Sequence, residues 1–202
     1  GSDMSAQSHP VLVGRTVRLE QFGADDISAA YLAWLSDPEV NRYSRRAAEG
    51  PVSREDAENY LAGLSPDEVV LAIRHAAHGH VGNIKYGPID AVGKSADISI
   101  LIGERKCWGQ GIGSEAIFLV SRYLFGEIGL VRVEAGTCNP AFIRTVEKLG
   151  WRTEDVMPAH IRIGEKLMDY TRLAQGRDEF RNYIAQMLPP VASQPICKGA
   201  ES

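Results

Sequence analysis

The sequence predicts one domain of α/β (α+β) class, with a mixed central sheet of about seven strands flanked by helices. Three observations predict it. An extended segment is followed by helices, then by a run of closely spaced extended segments, and then extended and helical segments alternate to the end. Short turns between some strands call for antiparallel pairing, and helical crossovers between others for parallel pairing. The 202 residues fit one domain with short extensions, at roughly 150 residues per domain. Residues 1–9 read as a disordered start, with Gly1-Ser2-Asp3 ahead of Met4 resembling a tag remnant. The folded domain is expected over 10–188, and the proline-containing polar stretch 189–202 is expected to be a flexible tail.

Val11 to Phe22 is rich in β-branched and apolar residues and reads as the first strand. Asp25-Asp26 open a helix that sets Ile27, Ala30, Tyr31 and Trp34 at helical spacing. Asp37-Pro38 starts a short helical turn, and Arg42 to Pro51 is a basic polar loop. Ser53 to Asp56 forms a capping box, so a helix carrying Tyr60, Leu61 and Leu64 follows. Glu68 to Arg74 and Val81 to Tyr86 are strands joined by a turn at His75 to Gly79, hence a hairpin. Pro88 to Lys94 reads as a loop and Ala96 to Ile102 as a buried strand. A glycine-rich turn leads into a helix from Gly113 to Phe125, with Ile112, Ala116, Ile117, Val120 and Leu124 on one face. Leu130 to Thr137 is a strand, and Pro140 to Leu149 a helix stopped by Gly150. Trp151 to Met157 and Lys166 to Leu173 are the last strands, and Asp178 to Leu188 the last helix.

Composition excludes several classes. Hydrophobic residues at 44% and charged residues at 24% match the globular average and rule out wholesale disorder. A domain of this size buries roughly 70% of the surface of its unfolded chain, so it needs neither disulfide nor metal to fold. The formal net charge of −4 disfavours a sequence-independent nucleic-acid binder, and no nucleic-acid partner is expected. Apolar runs such as Ile98 to Ile102 are far too short to span a bilayer, so no membrane partner is expected. Cys107, Cys138 and Cys197 are widely spaced and form no CxxC pair, which points to reduced thiols in a cytoplasmic protein. His75, His78 and His80 form an H-x2-H-x-H run, but a hairpin turn offers that spacing without a further ligand, and no metal is expected.

The informative segment is Ile98 to Ala116. A buried strand runs into Trp108-Gly109-Gln110-Gly111-Ile112-Gly113, and a helix starts at once. Glycines let backbone N–H groups turn outward, and the helix N-terminus adds a positive dipole end, so the turn suits a phosphate. It is not a Walker loop, because Ser114-Glu115 follow where lysine and serine or threonine are needed. It is not a nicotinamide fingerprint, because Glu115-Ala116 stand where the third glycine belongs. A second segment, Asn139 to Trp151, reads N-P-A-F-I-R-T-V-E-K-L-G-W.

Together the two segments resemble the GNAT N-acetyltransferase superfamily. The first is similar to its pyrophosphate loop and the second to its N-x-x-(S/A)-I-x-x-(Y)-E-K-x-G-(F/W) helix and strand. The likeness covers residues 11 to 174, and the Trp-Gly-x-Gly form is similar to the branch of ribosomal-protein N-terminal and nucleotide-amino-sugar acetyltransferases. The resemblance implies acetyl-CoA as donor substrate. It implies that the amides around Gln110, Gly111, Ile112, Gly113 and Ser114 hold the pyrophosphate, and that Ile100, Leu101 and Ile102 pair with the pantetheine. Asn139, Phe142 and Arg144 would lie along the coenzyme, and the Leu101 amide is a candidate oxyanion donor. There are departures. Trp108 opens the loop instead of arginine or glutamine, Phe142 replaces a small residue, and Val146 stands where the family often has an acid tyrosine.

The amine must lose a proton before it attacks the thioester. Asp97 is the candidate base, with His160 as an alternative and Tyr86 as a third candidate or substrate contact. The acceptor is expected among the N-terminal helices, where Arg42, Tyr43, Arg45 and Arg46, joined by Lys85 and Arg162, suit a phosphate-bearing molecule. Polycations such as polyamines would prefer acids there. The stretches Asp37 to Arg45 and His80 to Lys85 resemble those of acetyltransferases acting on nucleotide-linked amino sugars, so the leading expectation is acetylation of such a sugar. The alternatives are a protein or peptide N-terminal amine, or a CoA-binding module without turnover. Exposed edge strands near the C-terminus leave a homodimer open.

Overall fold

The computed structural model describes residues 8–44 and 50–188. Its strands are β1 (Leu12–Val13), β2 (Val17–Gln21), β3 (Val69–His75), β4 (Gly79–Asp90), β5 (Ser95–Ile102), β6 (Arg132–Thr137), β7 (Arg152–Ile163) and β8 (Lys166–Gly176). Its α-helices are α1 (Ala29–Ser36), α2 (Arg54–Ala62), α3 (Ile112–Tyr123), α4 (Pro140–Lys148) and α5 (Arg177–Met187). The strands form one sheet in the order β1-β2-β3-β4-β5-β6-β8-β7. Among these strands only β5 and β6 pair in parallel; the other neighbours are antiparallel.

The mixed sheet is the one predicted, with an extra strand. The first predicted strand folds back on itself as β1 and β2, and Gly14 N–H donates to Val17 O across the turn at 2.8 Å. Three other expectations change. β4 runs on through Pro88 to Asp90, because a register shift between Tyr86 and Ile89 absorbs the proline. The segment after Asp37-Pro38 is a series of turns and not a helix. β7 extends to Ile163, so His160 lies in a strand and not in a loop. His9, set outside the domain by the sequence reading, packs its ring against Tyr86 and Tyr123 and bonds the Tyr86 hydroxyl at 2.8 Å.

Each face of the sheet has its own core. On one face Leu19, Leu71, Ile73, Ile84, Ile98, Val133 and Leu173 pack against Ile117 and Val120 of α3, Val146 of α4 and Phe180 of α5. On the other, Val70, Ala72 and Phe22 pack against Tyr31, Trp34 and Leu35 of α1 and Ala57 of α2. Ser28 caps α1 and Ser53 caps α2, the latter through the capping box with Asp56 that the sequence shows.

Candidate active site

The site begins where the sheet comes apart. β5 and β6 pair only over Ser95–Asp97 and Arg132–Glu134. Beyond that, β4 holds β5 and β8 holds β6, and two cavities occupy the fork. The first, ≈ 450 Å³, lies between Ile100–Ile102 and the start of α4 (Ala141, Phe142, Arg144, Thr145), closed by Trp108, Gly109 and Gly111 to Ser114. The second, ≈ 340 Å³, is walled by Tyr31, Asn41, Ser44, Tyr60, Asn83, Lys85, Ser99, Gly136 and Thr137, among others. Val40, Tyr43, Ile100, Leu101, Asn139 and Phe142 line both, so the cavities meet.

The first cavity is made of main chain. Gly109 and Gly111 take φ of 77° and 78°, a left-handed conformation that other residues adopt only with strain. Gly111 is also the N-cap of α3, whose first-turn N–H groups have no partner within the helix. The result is a cradle for an anion. Gln110 folds its side chain back to donate to Lys106 O at 3.0 Å, so only its backbone is offered to the cradle. Trp108 Nε1–H donates to Ile102 O at 2.8 Å and pins the loop to the end of β5. Glu115 fixes the other side of the loop, accepting from Thr16 N at 2.8 Å and from Thr16 Oγ1 and Val17 N. Burial opposes the charge on Glu115, but these bonds outweigh it and hold its carboxyl below the usual range.

The direction of the β5 amides follows from the register. Gly103 N donates to Val81 O at 2.9 Å, and Asn83 faces Leu101. Antiparallel pairing alternates, so the Leu101 amide points to Asn83 on β4, while Ile100 and Ile102 turn theirs toward the fork. The Ile102 carbonyl that receives the Trp108 N–H points the same way.

The second cavity is made of side chains. Asn41 is buried, with Nδ2 within hydrogen-bond distance of Trp34 O (2.8 Å), Leu35 O (3.1 Å) and Asp37 O (2.8 Å), so it holds the loop after α1 in place. Asn83 meets His80 Nε2 through Oδ1 at 2.7 Å. Lys85 Nζ pairs with Glu68 Oε2 at 2.6 Å; burial opposes its charge, yet the Glu68 bond raises its pKa overall. Asp97, the expected base, sits two residues before Ser99 and therefore on the same strand face, but it is an exposed residue and lines neither cavity. Desolvation first, and then the Glu134 carboxylate, push Asp97 up to about 6, against the pull of Arg172 and Lys85.

The structure gathers some of the predicted residues and separates others. Ile100, Leu101, Ile102, Gly111, Ile112, Gly113, Ser114, Asn139, Phe142 and Arg144 line the first cavity as a group. Asn139 caps α4, accepting from Ala141 N at 2.9 Å. Arg42, expected at the acceptor, lines the first cavity and stacks over the Tyr43 ring at 5.3 Å. Tyr86 faces the opposite core, buried against α3, because it is one step out of phase with Lys85 on β4. His160 is exposed on β7, beside Tyr170, and with Arg162 it lines neither cavity. Arg45 and Arg46 lie outside the described residues. His75 and His78 stack on each other, whereas His80 turns to Phe22, Tyr31 and Trp34, so the three do not converge. The reading of the sequence missed Asn41, Asn83, Ser99 and Tyr60. Asn83 carried a signal, since it lies two residues from Lys85 on one strand.

The family model of the acetyltransferase (GNAT) domain matches residues 16–152, and the chain belongs to that family. It is an N-acetyltransferase, and the donor substrate of such enzymes is acetyl-CoA. Among solved structures it is similar to a chain from T. thermophilus classed as an acetyltransferase (25% identity, 90% of this chain and 97% of that one, TM-score 0.72). It is also similar to a GCN5-related N-acetyltransferase from Brucella melitensis (23% identity, 89% and 86%, TM-score 0.71). A third similar fold is spermidine N-acetyltransferase from Vibrio cholerae in complex with CoA and spermine (17% identity, 83% and 99%, TM-score 0.74). A comparison with curated proteins gives no match. No helix among the described residues is long and apolar enough to cross a membrane.

Proposed function

We propose that this enzyme transfers the acetyl group of acetyl-CoA to the primary amine of a nucleotide-linked amino sugar. One observation carries the reading. Among the described residues, the second cavity has no carboxylate in its wall; its one cation is Lys85, paired from behind by Glu68, and the rest are hydroxyls, amides and apolar or aromatic groups. A polycation needs carboxylates around it, and a peptide amine an open acidic groove. A sugar offers hydroxyls to Asn83, Ser99 and Tyr60, and its phosphate offers charge to Lys85.

In this reading the amides of Gln110 to Ser114 hold the pyrophosphate, the outward amides of Ile100 and Ile102 pair with the pantetheine, and Asn139, Phe142 and Arg144 flank it. The oxyanion donor shifts from Leu101 to Ile100, whose amide faces the fork and whose residue lines both cavities. Asp97, ionised above about pH 6, stands outside the cavity wall, so it takes the amine proton through water. The enzyme works in the cytoplasm, and the free edge of β7, with Val156 exposed, is the surface for a homodimer.

The test is thermal stability with acetyl-CoA, CoA, a nicotinamide dinucleotide and ATP, followed by thiol release with candidate amines. Stabilisation of about 2.7 kcal/mol is expected at a CoA concentration 100 times its dissociation constant, and none with the other two ligands. Thiol release is expected with nucleotide-linked amino sugars. Faster release with spermine or with a peptide overturns the acceptor assignment.

A further inference from the structure

We infer that Tyr43 is the proton donor to the thiolate that leaves when the acetyl group is transferred. The inference rests on acetyl-CoA occupying the first cavity and the amine the second, as proposed above. The leaving sulfur then lies where the cavities meet. The described residues lining both are Val40, Tyr43, Ile100, Leu101, Asn139 and Phe142. Of these side chains, only the Tyr43 phenol carries an acidic proton. The other hydroxyls line one cavity and not the other: Tyr31, Ser44, Tyr60, Ser99 and Thr137 the second, Ser114 and Thr145 the first. The alternative source in the α4 segment is absent, since Val146 is aliphatic and fully buried in the core.

The chemistry matches. Phenols ionise near 10 and alkyl thiols near 8.5, so a phenol can protonate a departing thiolate and be restored at modest cost. The Arg42 guanidinium lies over the ring, 5.3 Å from its centroid, and helps fix its position. Asn41 holds the loop that carries Tyr43, its Nδ2 donating among the carbonyls of Trp34, Leu35 and Asp37 at the end of α1 and just beyond it. The step balances: the amine nitrogen bonds to the carbonyl carbon, the C–S bond breaks, and the sulfur takes the Tyr43 proton. The phenolate then receives the proton shed by the acylated nitrogen.

The first experiment needs no acceptor. The phenolate absorbance of wild type minus that of Tyr43→Phe, titrated with pH, isolates Tyr43. In complex with CoA it should titrate at higher pH than with desulfo-CoA, because a neighbouring thiolate opposes a second negative charge. Identical titrations overturn the inference. The second experiment is kinetic, with the amine that releases thiol fastest. Tyr43→Phe should bind CoA within twofold of wild type by calorimetry while kcat falls about 10²-fold, and Tyr43→His should recover part of the loss. A rate unchanged in Tyr43→Phe, or a loss explained by weaker CoA binding alone, also overturns it. A wild type that binds neither CoA nor desulfo-CoA overturns the donor assignment together with this inference, and the calorimetry tells that outcome from the others.

Discussion

The two cavities share a wall yet are built of different material. The first is a backbone device: two left-handed glycines, the open N-terminus of α3 and the outward amides at the end of β5. Its residues come mainly from two short stretches of chain, 100–114 and 139–148. The second is a side-chain device, assembled from α1, α2, β3, β4, β5, β6, the start of α4 and the loop after α1. The difference teaches where variation is tolerated. A backbone cradle holds its ligand whatever side chains decorate it, provided the glycines stay, so under the proposed assignment the donor site can remain constant. A wall of side chains changes its ligand with each substitution, so under the proposed assignment specificity resides in the second cavity.

Substitutions sharpen that contrast, and the largest effect is expected at Asp97. Asp97→Asn should lower kcat about 10²-fold or more at neutral pH, with CoA affinity unchanged. The wild-type rate should rise through pH 6, where Asp97 ionises, and the variant should lack that rise. The stability effect has the opposite sign. A carboxyl whose folded pKa is raised above its unfolded value favours the fold below the unfolded pKa and loses that contribution as pH rises through about 6. Asp97→Asn should therefore melt higher than wild type at pH 8 and no higher at pH 3.5. A variant that keeps full activity would remove Asp97 from the mechanism.

Gly111→Val comes next. The space around a Cβ there is open, but φ is +78°, so the residue must strain or unwind the cap. CoA affinity by calorimetry should fall about tenfold or more. Unchanged affinity would show that the cradle is not made by the backbone. Glu115→Ala tests the support behind the cradle, and a loss of about 2 kcal/mol is expected from the charge-assisted bonds to Thr16 and Val17. The Glu115 pKa is lowered in the fold, so its contribution is present above the unfolded carboxyl pKa and fades as pH falls through the folded value. Urea melts should show the gap at pH 7 and its closure toward pH 3. The smallest effect is expected for Gln110→Ala, whose side chain touches only Lys106 O. CoA affinity should stay within twofold, and a larger drop would mean that this side chain, and not only its amide, grips the donor.

The legible and illegible parts of the molecule divide along the same line. The glycine turn, the helix after it and the Asn139 segment were visible because each is a local pattern that its own residues enforce. The mixed sheet was visible too, since strand spacing and crossovers appear in the order of the elements. The β1–β2 fold-back was not, because Gly14 turns the chain with the help of Glu115, about a hundred residues away and bonded to Thr16. The phase of β4 decided between Lys85 and Tyr86, placing the first in the cavity wall and the second in the core. His160 illustrates the limit: an acid–base residue type at the right place in the chain order, set by the length of β7 on the edge of the sheet and away from both cavities.

The sequence by itself determined the class of the fold, the glycine turn at the start of α3 and the family, because these depend on contiguous residues with special backbone preferences or capping chemistry. Only the tertiary structure decided which amides of β5 face the fork, that Asn41, Asn83 and Ser99 wall the second cavity, and that Tyr43 lines both cavities. The physical reason is that hydrogen-bond register alternates with pairing between strands, and a cavity is defined by segments that meet only when the sheet parts between β5 and β6.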